Sequence, residues 1–158
     1  MACLACDRLR AIEEGAYPYA VARTETGYVQ LAETQYYPGY VEFVAKDCVR
    51  ELHDLDPPRR AKHLLEMSLV AEAAFRAFRP IKMNYEALGN SVPHLHWHLI
   101  PRHVGDPHLG GPAWRDEAFV HAMKSQAARP SPTDLETRRQ QLLAELQRLN
   151  LELERVFR

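Results

Sequence analysis

Apolar positions along this chain follow two periods, and each period marks a kind of element. Tyr19 to Arg23 and Tyr28 to Ala32 alternate as short strands on either side of Glu25-Thr26-Gly27, which reads as a hairpin turn. Tyr36-Tyr37-Pro38-Gly39 is a second turn, and Tyr40 to Ala45 alternates again. Asp56 before Pro57 is a helix start, with an aspartate cap and a proline where a missing N–H does no harm. From there Leu64, Leu65, Val70, Ala74 and Phe78 fall near helical spacing until Pro80. Ile81 to Leu88 and Leu95 to Ile100 predict two more strands around Gly89-Asn90-Ser91. Strands, a helix and strands again favour an α+β fold, an antiparallel sheet with one long packed helix.

After Gly105 the pattern breaks at Gly110-Gly111-Pro112 and Pro130-Ser131-Pro132. Beyond it Leu142, Leu146, Leu149, Leu153 and Val156 keep a four-three spacing, which predicts a C-terminal amphipathic helix over 133–158. That seam suits either packing on its own domain or contact with a second copy. The expected organisation is therefore a catalytic domain over 1–114, an irregular linker over 115–132 and the extension helix.

Composition narrows the function. Twenty Lys and Arg against 21 Asp and Glu leave a formal charge of -1, too little field to hold a nucleic-acid polymer or an anionic membrane. No apolar run is long enough to span a bilayer, and the N-terminus turns charged too early for a signal peptide. Three cysteines, an odd number, argue for a reducing compartment, so the expected location is cytoplasmic.

The chemistry is concentrated in Pro93-His94-Leu95-His96-Trp97-His98-Leu99-Ile100-Pro101-Arg102. Histidines at every second residue of a strand project from one face, with Leu95, Trp97 and Leu99 on the other. Imidazoles side by side carry a desolvation cost that packing alone gives no reason to bear. The spacing suits phosphate chemistry, with one ring attacking phosphorus while its neighbours meet the developing charge. It also suits a zinc or copper site, or a surface row without a role.

The longer string Leu88-Gly89-Asn90-Ser91-Val92-Pro93 running into these histidines closely resembles the signature of the histidine triad family of nucleotide hydrolases and transferases. Tyr37-Pro38-Gly39-Tyr40 and Leu52-His53-Asp54-Leu55 match the family's order as well, and the resemblance covers Cys3 to about Trp114. It implies that His96 attacks the α-phosphorus of a nucleotide to form a nucleotidyl-histidine, and that His98 contacts phosphate and supports it. Asn90 and Ser91 would bind phosphate oxygens and the leaving group. Relatives carry Gln where Asn90 stands, and carry Asp or Asn for the ribose hydroxyls where this chain has Ala32-Glu33-Thr34, so Glu33 could serve only with a shift of one position. The transferase branch tends to carry Gln in place of His98, which favours hydrolysis. The resemblance suggests dinucleoside polyphosphates or nucleoside phosphoramidates as substrates and a homodimer as the assembly. A nucleotide-binding regulatory protein with little turnover and a nucleotidyl transferase are the rival readings.

Cys3 and Cys6 form a Cys-x-x-Cys pair, a knuckle that can grip zinc but needs two further ligands. Some bacterial members of the family hold zinc with such a pair, a histidine just after the strand that precedes the long helix, and the first histidine of the triad. Cys48 stands where the former histidine would be, so the resemblance implies a structural zinc on Cys3, Cys6, Cys48 and His94, with no direct part in catalysis. Among the other residues, His53 is expected to border the helix start, His63 to be solvated, and Arg102 to meet phosphate or a surface carboxylate. His108 is a candidate for the pocket edge, and Trp114 for a cover on the site, a contact with the dimer partner or the filling of a crevice.

Overall fold

A computed structural model describes residues 3–125 and 128–156. In chain order the elements are α1 (Leu4–Glu13), β1 (Ala20–Arg23), β2 (Gly27–Leu31), β3 (Val41–Ala45) and α2 (Pro57–Phe78). They continue with β4 (Lys82–Glu86), β5 (His96–Arg102), α3 (Glu117–Lys124), α4 (Pro132–Arg148) and β6 (Glu154–Arg155). The strands form one antiparallel sheet in the order β4-β5-β3-β2-β1-β6. The fold is the α+β arrangement that the apolar periods predict.

One face of the sheet carries the main core. Val29, Leu31, Val41, Phe43 and Leu99 pack there against Met67, Val70, Ala71 and Ala74 of α2 and Leu135, Leu142 and Leu143 of α4. Asp56 caps α2 by accepting from the Arg59 N–H at 2.9 Å, as Asp-Pro at a helix start should. Gly39, at the turn into β3, has φ +86°, and a Cβ there would meet the Phe78 ring at 2.4 Å. Only glycine satisfies both the backbone and the close approach.

The opposite face is partly covered by α1 and α3. Leu9 and Ile12 of α1 pack on Ala20, Tyr28 and Val44. Phe119 of α3 packs with Tyr37, Tyr40 and Ile100, and the α3 cap Asp116 accepts from the Tyr37 hydroxyl at 3.0 Å. The expected linker over 115–132 thus contains a short docked helix.

The C-terminal helix does not run to 158. It ends at Arg148, and Asn150 takes a left-handed φ of +53°. Leu149, Leu151 and Leu153 then pack back on the core, and Glu154–Arg155 pairs with β1. Two periods overlap in this stretch: Leu149, Leu151 and Leu153 are also spaced by two, and burial against the sheet favours that reading over the helical seam. Leu142 and Leu146 of α4 are fully buried within the chain's own core. Among the described residues no helix is long and apolar enough to cross a membrane.

Candidate active site and metal cluster

The register of three strands builds the floor of the site. Glu42 of β3 pairs with His98 of β5, Val44 pairs with His96, and Gln30 of β2 pairs with Glu42. On the other side of β5, Glu86 of β4 pairs with His98. Cross-strand partners share a face, so Gln30, Glu42, His98 and Glu86 form one polar row across the sheet. A cavity of about 700 Å³ opens above this row. His96, His98, Asn90 and Ser91 line it together, with Trp114 beside them.

The three histidines do not share one face of one strand. β5 begins at His96, and His94 lies in the bend before it. The His94 backbone carbonyl accepts a hydrogen bond from His96 Nδ1 at 2.6 Å. A carbonyl only accepts, so the His96 proton sits on Nδ1 and the Nε2 lone pair is available. His98 is buried, and its Nδ1 lies 2.5 Å from the Tyr40 hydroxyl. Burial drives the Tyr40 phenol well above its ordinary pKa, with Glu42 and Glu86 adding to the rise. The phenol therefore donates to Nδ1, which leaves the His98 proton on Nε2. Burial also pushes the His98 pKa down to about 4, against the pull of Glu42, and nearby His96 lowers it further. His98 is thus a neutral imidazole with one N–H to offer. The two rings meet edge to face with centroids 4.7 Å apart, and His98 and Trp114 form a second T-shaped pair with centroids 5.4 Å apart. The Trp114 indole N–H donates to Glu86, whose pKa is raised by burial and held back by that bond.

Glu33 is not among the residues that line the cavity. It is tied by ion pairs to Arg129 at 2.5 Å and Arg8 at 3.7 Å, and it accepts from the Tyr17 hydroxyl. The carboxylate that does line the cavity is Glu42, which the sequence reading missed. Its Oε2 accepts from Gln30 Nε2 at 2.5 Å and Arg8 at 3.5 Å, and its Oε1 lies 3.8 Å from His98 Nδ1. The signal was present: a lone charge inside Tyr40-Val41-Glu42-Phe43-Val44-Ala45, two residues from a tyrosine on the same face.

Arg102 is not among the residues that line the cavity, and the group its Nε meets is a carboxylate, Asp106, at 3.4 Å. It is 1% exposed, its guanidinium donates to Asn84, Pro107 and Gly111, and it sits over the Tyr37 ring. The run of turns after β5 folds back onto this arginine, which satisfies those buried carbonyls. His63, expected to be solvated, is fully buried and stacked on Phe43. His53 is exposed in a short helical turn, and His108 stays outside the cavity lining.

A second cluster adjoins the cavity. The ligand atoms of Cys3, Cys6, Cys48 and His94 all lie within 4.8 Å of one another. Tetrahedral zinc with such ligands places them about 3.4–3.8 Å apart, so a small contraction would close the site. His94 Nε2 donates to the Ala45 carbonyl at 2.8 Å, which turns an unprotonated Nδ1 toward Cys3 at 3.4 Å and Cys6 at 3.7 Å. That is the tautomer a metal ligand needs, fixed by a backbone partner. Burial works against ionisation of Cys3, but hydrogen bonds from Cys6, His94 and Cys48 hold its thiol down to about 7. Burial and the neighbouring thiols push Cys6 up to about 12. Thiols that oppose one another's charge in this way suit a dication that would neutralise them together. The four residues could hold a metal ion, consistent with a structural zinc.

Comparison with known proteins places this geometry in a family. A histidine triad protein from Marinobacter aquaeolei VT8 superposes with a TM-score of 0.71 at 28% identity, over 90% of this chain and 95% of that one. A zinc-bound histidine triad family protein from Mycobacterium smegmatis shares the fold with a TM-score of 0.64 at 19% identity, over 94% of this chain and 98% of its own. A diadenosine triphosphate hydrolase from Plasmodium falciparum shares it with a TM-score of 0.56 at 15% identity, over 84% of this chain and 77% of that one. No curated protein matches the chain significantly. The family model described as HIT domain matches residues 19–105, more than half of the sequence, and the chain belongs to the HIT domain family.

Proposed function

We propose that this protein is a nucleotide hydrolase that cleaves dinucleoside polyphosphates or nucleoside phosphoramidates at the α-phosphate. The observation that carries the reading is the His96 Nδ1–H bond to the His94 carbonyl, which frees Nε2 as a nucleophile beside the cavity. In the first step Nε2 attacks the α-phosphorus. A P–N bond forms as the bond to the bridging oxygen or amide nitrogen breaks, and the electron pair departs with the leaving group. In the second step water attacks phosphorus and the P–N pair returns to Nε2. A nucleoside monophosphate and one proton are released.

His98, neutral and with its proton on Nε2, would donate to a phosphoryl oxygen and stabilise the charge that builds there. Asn90 and Ser91 border the same cavity and supply further polar side chains for phosphate and leaving group. Glu42, rather than Glu33, is the carboxylate placed to accept from the nucleoside. Zinc bound at the cysteine cluster would supply a cross-link between α1 and the bend before β5, since four protein ligands leave no open position for substrate.

Brief incubation with diadenosine tetraphosphate or adenosine phosphoramidate, followed by mass spectrometry, should find a nucleotidyl adduct on His96. His96→Gly should lower kcat by about a thousandfold or more while leaving nucleotide affinity within a few-fold. Full hydrolysis by the His96→Gly variant would overturn the assignment. Binding of both nucleotides with no turnover by the wild type would favour the regulatory reading.

A further inference from the structure

The two flanks of the catalytic cavity carry different charge. On the α1 flank, Arg8 lines the cavity, but its guanidinium is met by Glu42 at 3.5 Å and Glu33 at 3.7 Å. That side is balanced, and Leu4 and Ala5 of the same helix add apolar surface. On the α3 flank, Lys124 lines the cavity next to Met123 and Val120. Among the described residues no carboxylate lies within ion-pairing distance of Lys124. Glu86, the floor acid that β4 contributes, is half-buried and occupied by the Trp114 indole.

A charge-balanced wall suits an uncharged nucleoside, and an unopposed ammonium suits an anion. We infer that the nucleoside of the transferred nucleotide rests against α1, and that Lys124 holds the anionic leaving group against α3. The inference rests on the hydrolase reading above and selects within it. The preferred substrates are those whose departing group carries phosphate, the dinucleoside polyphosphates, over phosphoramidates whose departing group is an amine. When the P–O bond breaks, the electron pair stays on the bridging oxygen of the departing phosphate. An ammonium close to that oxygen lowers the cost of the charge. An amine leaving group takes up a proton instead and gains nothing from a second cation. Met123 and Val120 would then lie beside the far nucleoside.

The test compares kcat/KM for diadenosine tetraphosphate and for adenosine phosphoramidate in the wild type, Lys124→Gln and Lys124→Arg. The ratio of anhydride to phosphoramidate efficiency should fall about tenfold in Lys124→Gln and return most of the way in Lys124→Arg. An unchanged ratio, or equal loss on both substrates, overturns the inference while leaving the hydrolase reading intact. Absence of turnover on either substrate overturns the hydrolase reading instead, and binding then decides the role of Lys124. In the His96→Gly background, Lys124→Gln should lower affinity for diadenosine tetraphosphate relative to AMP by about fivefold or more. An unchanged affinity ratio would remove Lys124 from the leaving-group site.

Discussion

His94 and His96 are joined through one backbone carbonyl: the His94 oxygen accepts the His96 Nδ1 proton at 2.6 Å while the His94 ring faces the three cysteines. Whatever fixes the His94 ring therefore also fixes the peptide that orients the His96 ring. The cysteine cluster and the candidate nucleophile are mechanically connected even though they do different chemistry.

Stripping the protein with a strong chelator should lower its melting temperature by several degrees or more, because metal binding to such a cluster is folding free energy. The Cys48→Ala variant should purify with well under one zinc per chain. Its kcat should fall by about tenfold or more, the scale expected when a group that orients a reactive ring is loosened. Metal analysis and calorimetry on the same preparations check both. A zinc-free protein with unchanged melting temperature and turnover would disconnect the cluster from the site.

Acid should weaken the fold through His98. Its folded pKa of about 4 lies below the ordinary histidine value, with burial as the main cause. The unfolded chain thus binds a proton in that window that the folded chain refuses. The stabilisation is complete above about pH 6.5 and is lost as pH falls through about 4, amounting to about 2–3 kcal/mol. His63, lowered in the same direction by burial, steepens the loss. Urea unfolding near pH 7 and near pH 4.5 should show a smaller acid loss in His98→Gln than in the wild type by about that amount. Equal losses would mean that His98 is already charged in the native protein.

Tyr40 sets which nitrogen of His98 carries the proton. Tyr40→Phe keeps the packing against Phe119 but removes that donor. The expected outcome is a drop in kcat of about tenfold with little change in KM, because a misplaced proton costs transition-state stabilisation more than ground-state binding. A matched rise in KM with kcat unchanged would assign Tyr40 to substrate binding instead.

The legible parts of this chain were those encoded by local period and spacing. The strand-turn-strand pairs and the Asp56 cap follow from short stretches of sequence, and the grouping of Asn90 and Ser91 with His96 and His98 came through the family resemblance. The cysteine cluster was legible through the family resemblance, which brought Cys48 to the N-terminal pair across a separation of 42 residues (48 less 6). Glu42 was not legible, because its place beside His98 depends on the register between β3 and β5. Nothing local to either strand specifies that register. His63 failed for a related reason. Arg59, Arg60 and Lys62 surround it in sequence, but its helix turns it onto Phe43 and a polar partner from another element. The end of α4 failed because leucines spaced by both two and four satisfy two patterns, and only the sheet edge decides between them.

That buried partner set yields a last prediction. The Trp97 indole N–H donates to His63 Nε2 at 3.2 Å, so the His63 proton lies on Nδ1, which donates to the Thr26 hydroxyl at 3.1 Å. The Thr26 hydroxyl in turn donates to Glu66 Oε2 at 2.5 Å, and the same oxygen accepts from the Thr26 N–H and the Thr24 hydroxyl. The Thr24 hydroxyl also reaches the Gly27 carbonyl at 3.1 Å, and the network ties α2 to the β1–β2 turn and to β5 from beneath the active-site strand. Removing the terminal acceptor strands the Thr26 N–H and hydroxyl away from water at once, while the Thr24 hydroxyl keeps the Gly27 carbonyl. Glu66→Ala should therefore destabilise the protein by about 3–5 kcal/mol. Trp97→Phe, which leaves a single imidazole nitrogen unpaired, should cost about 1–3 kcal/mol. Chemical unfolding of the two variants measures the difference directly. If Glu66→Ala proved no more costly than Trp97→Phe, the Thr26 donors must find other partners when the carboxylate is gone.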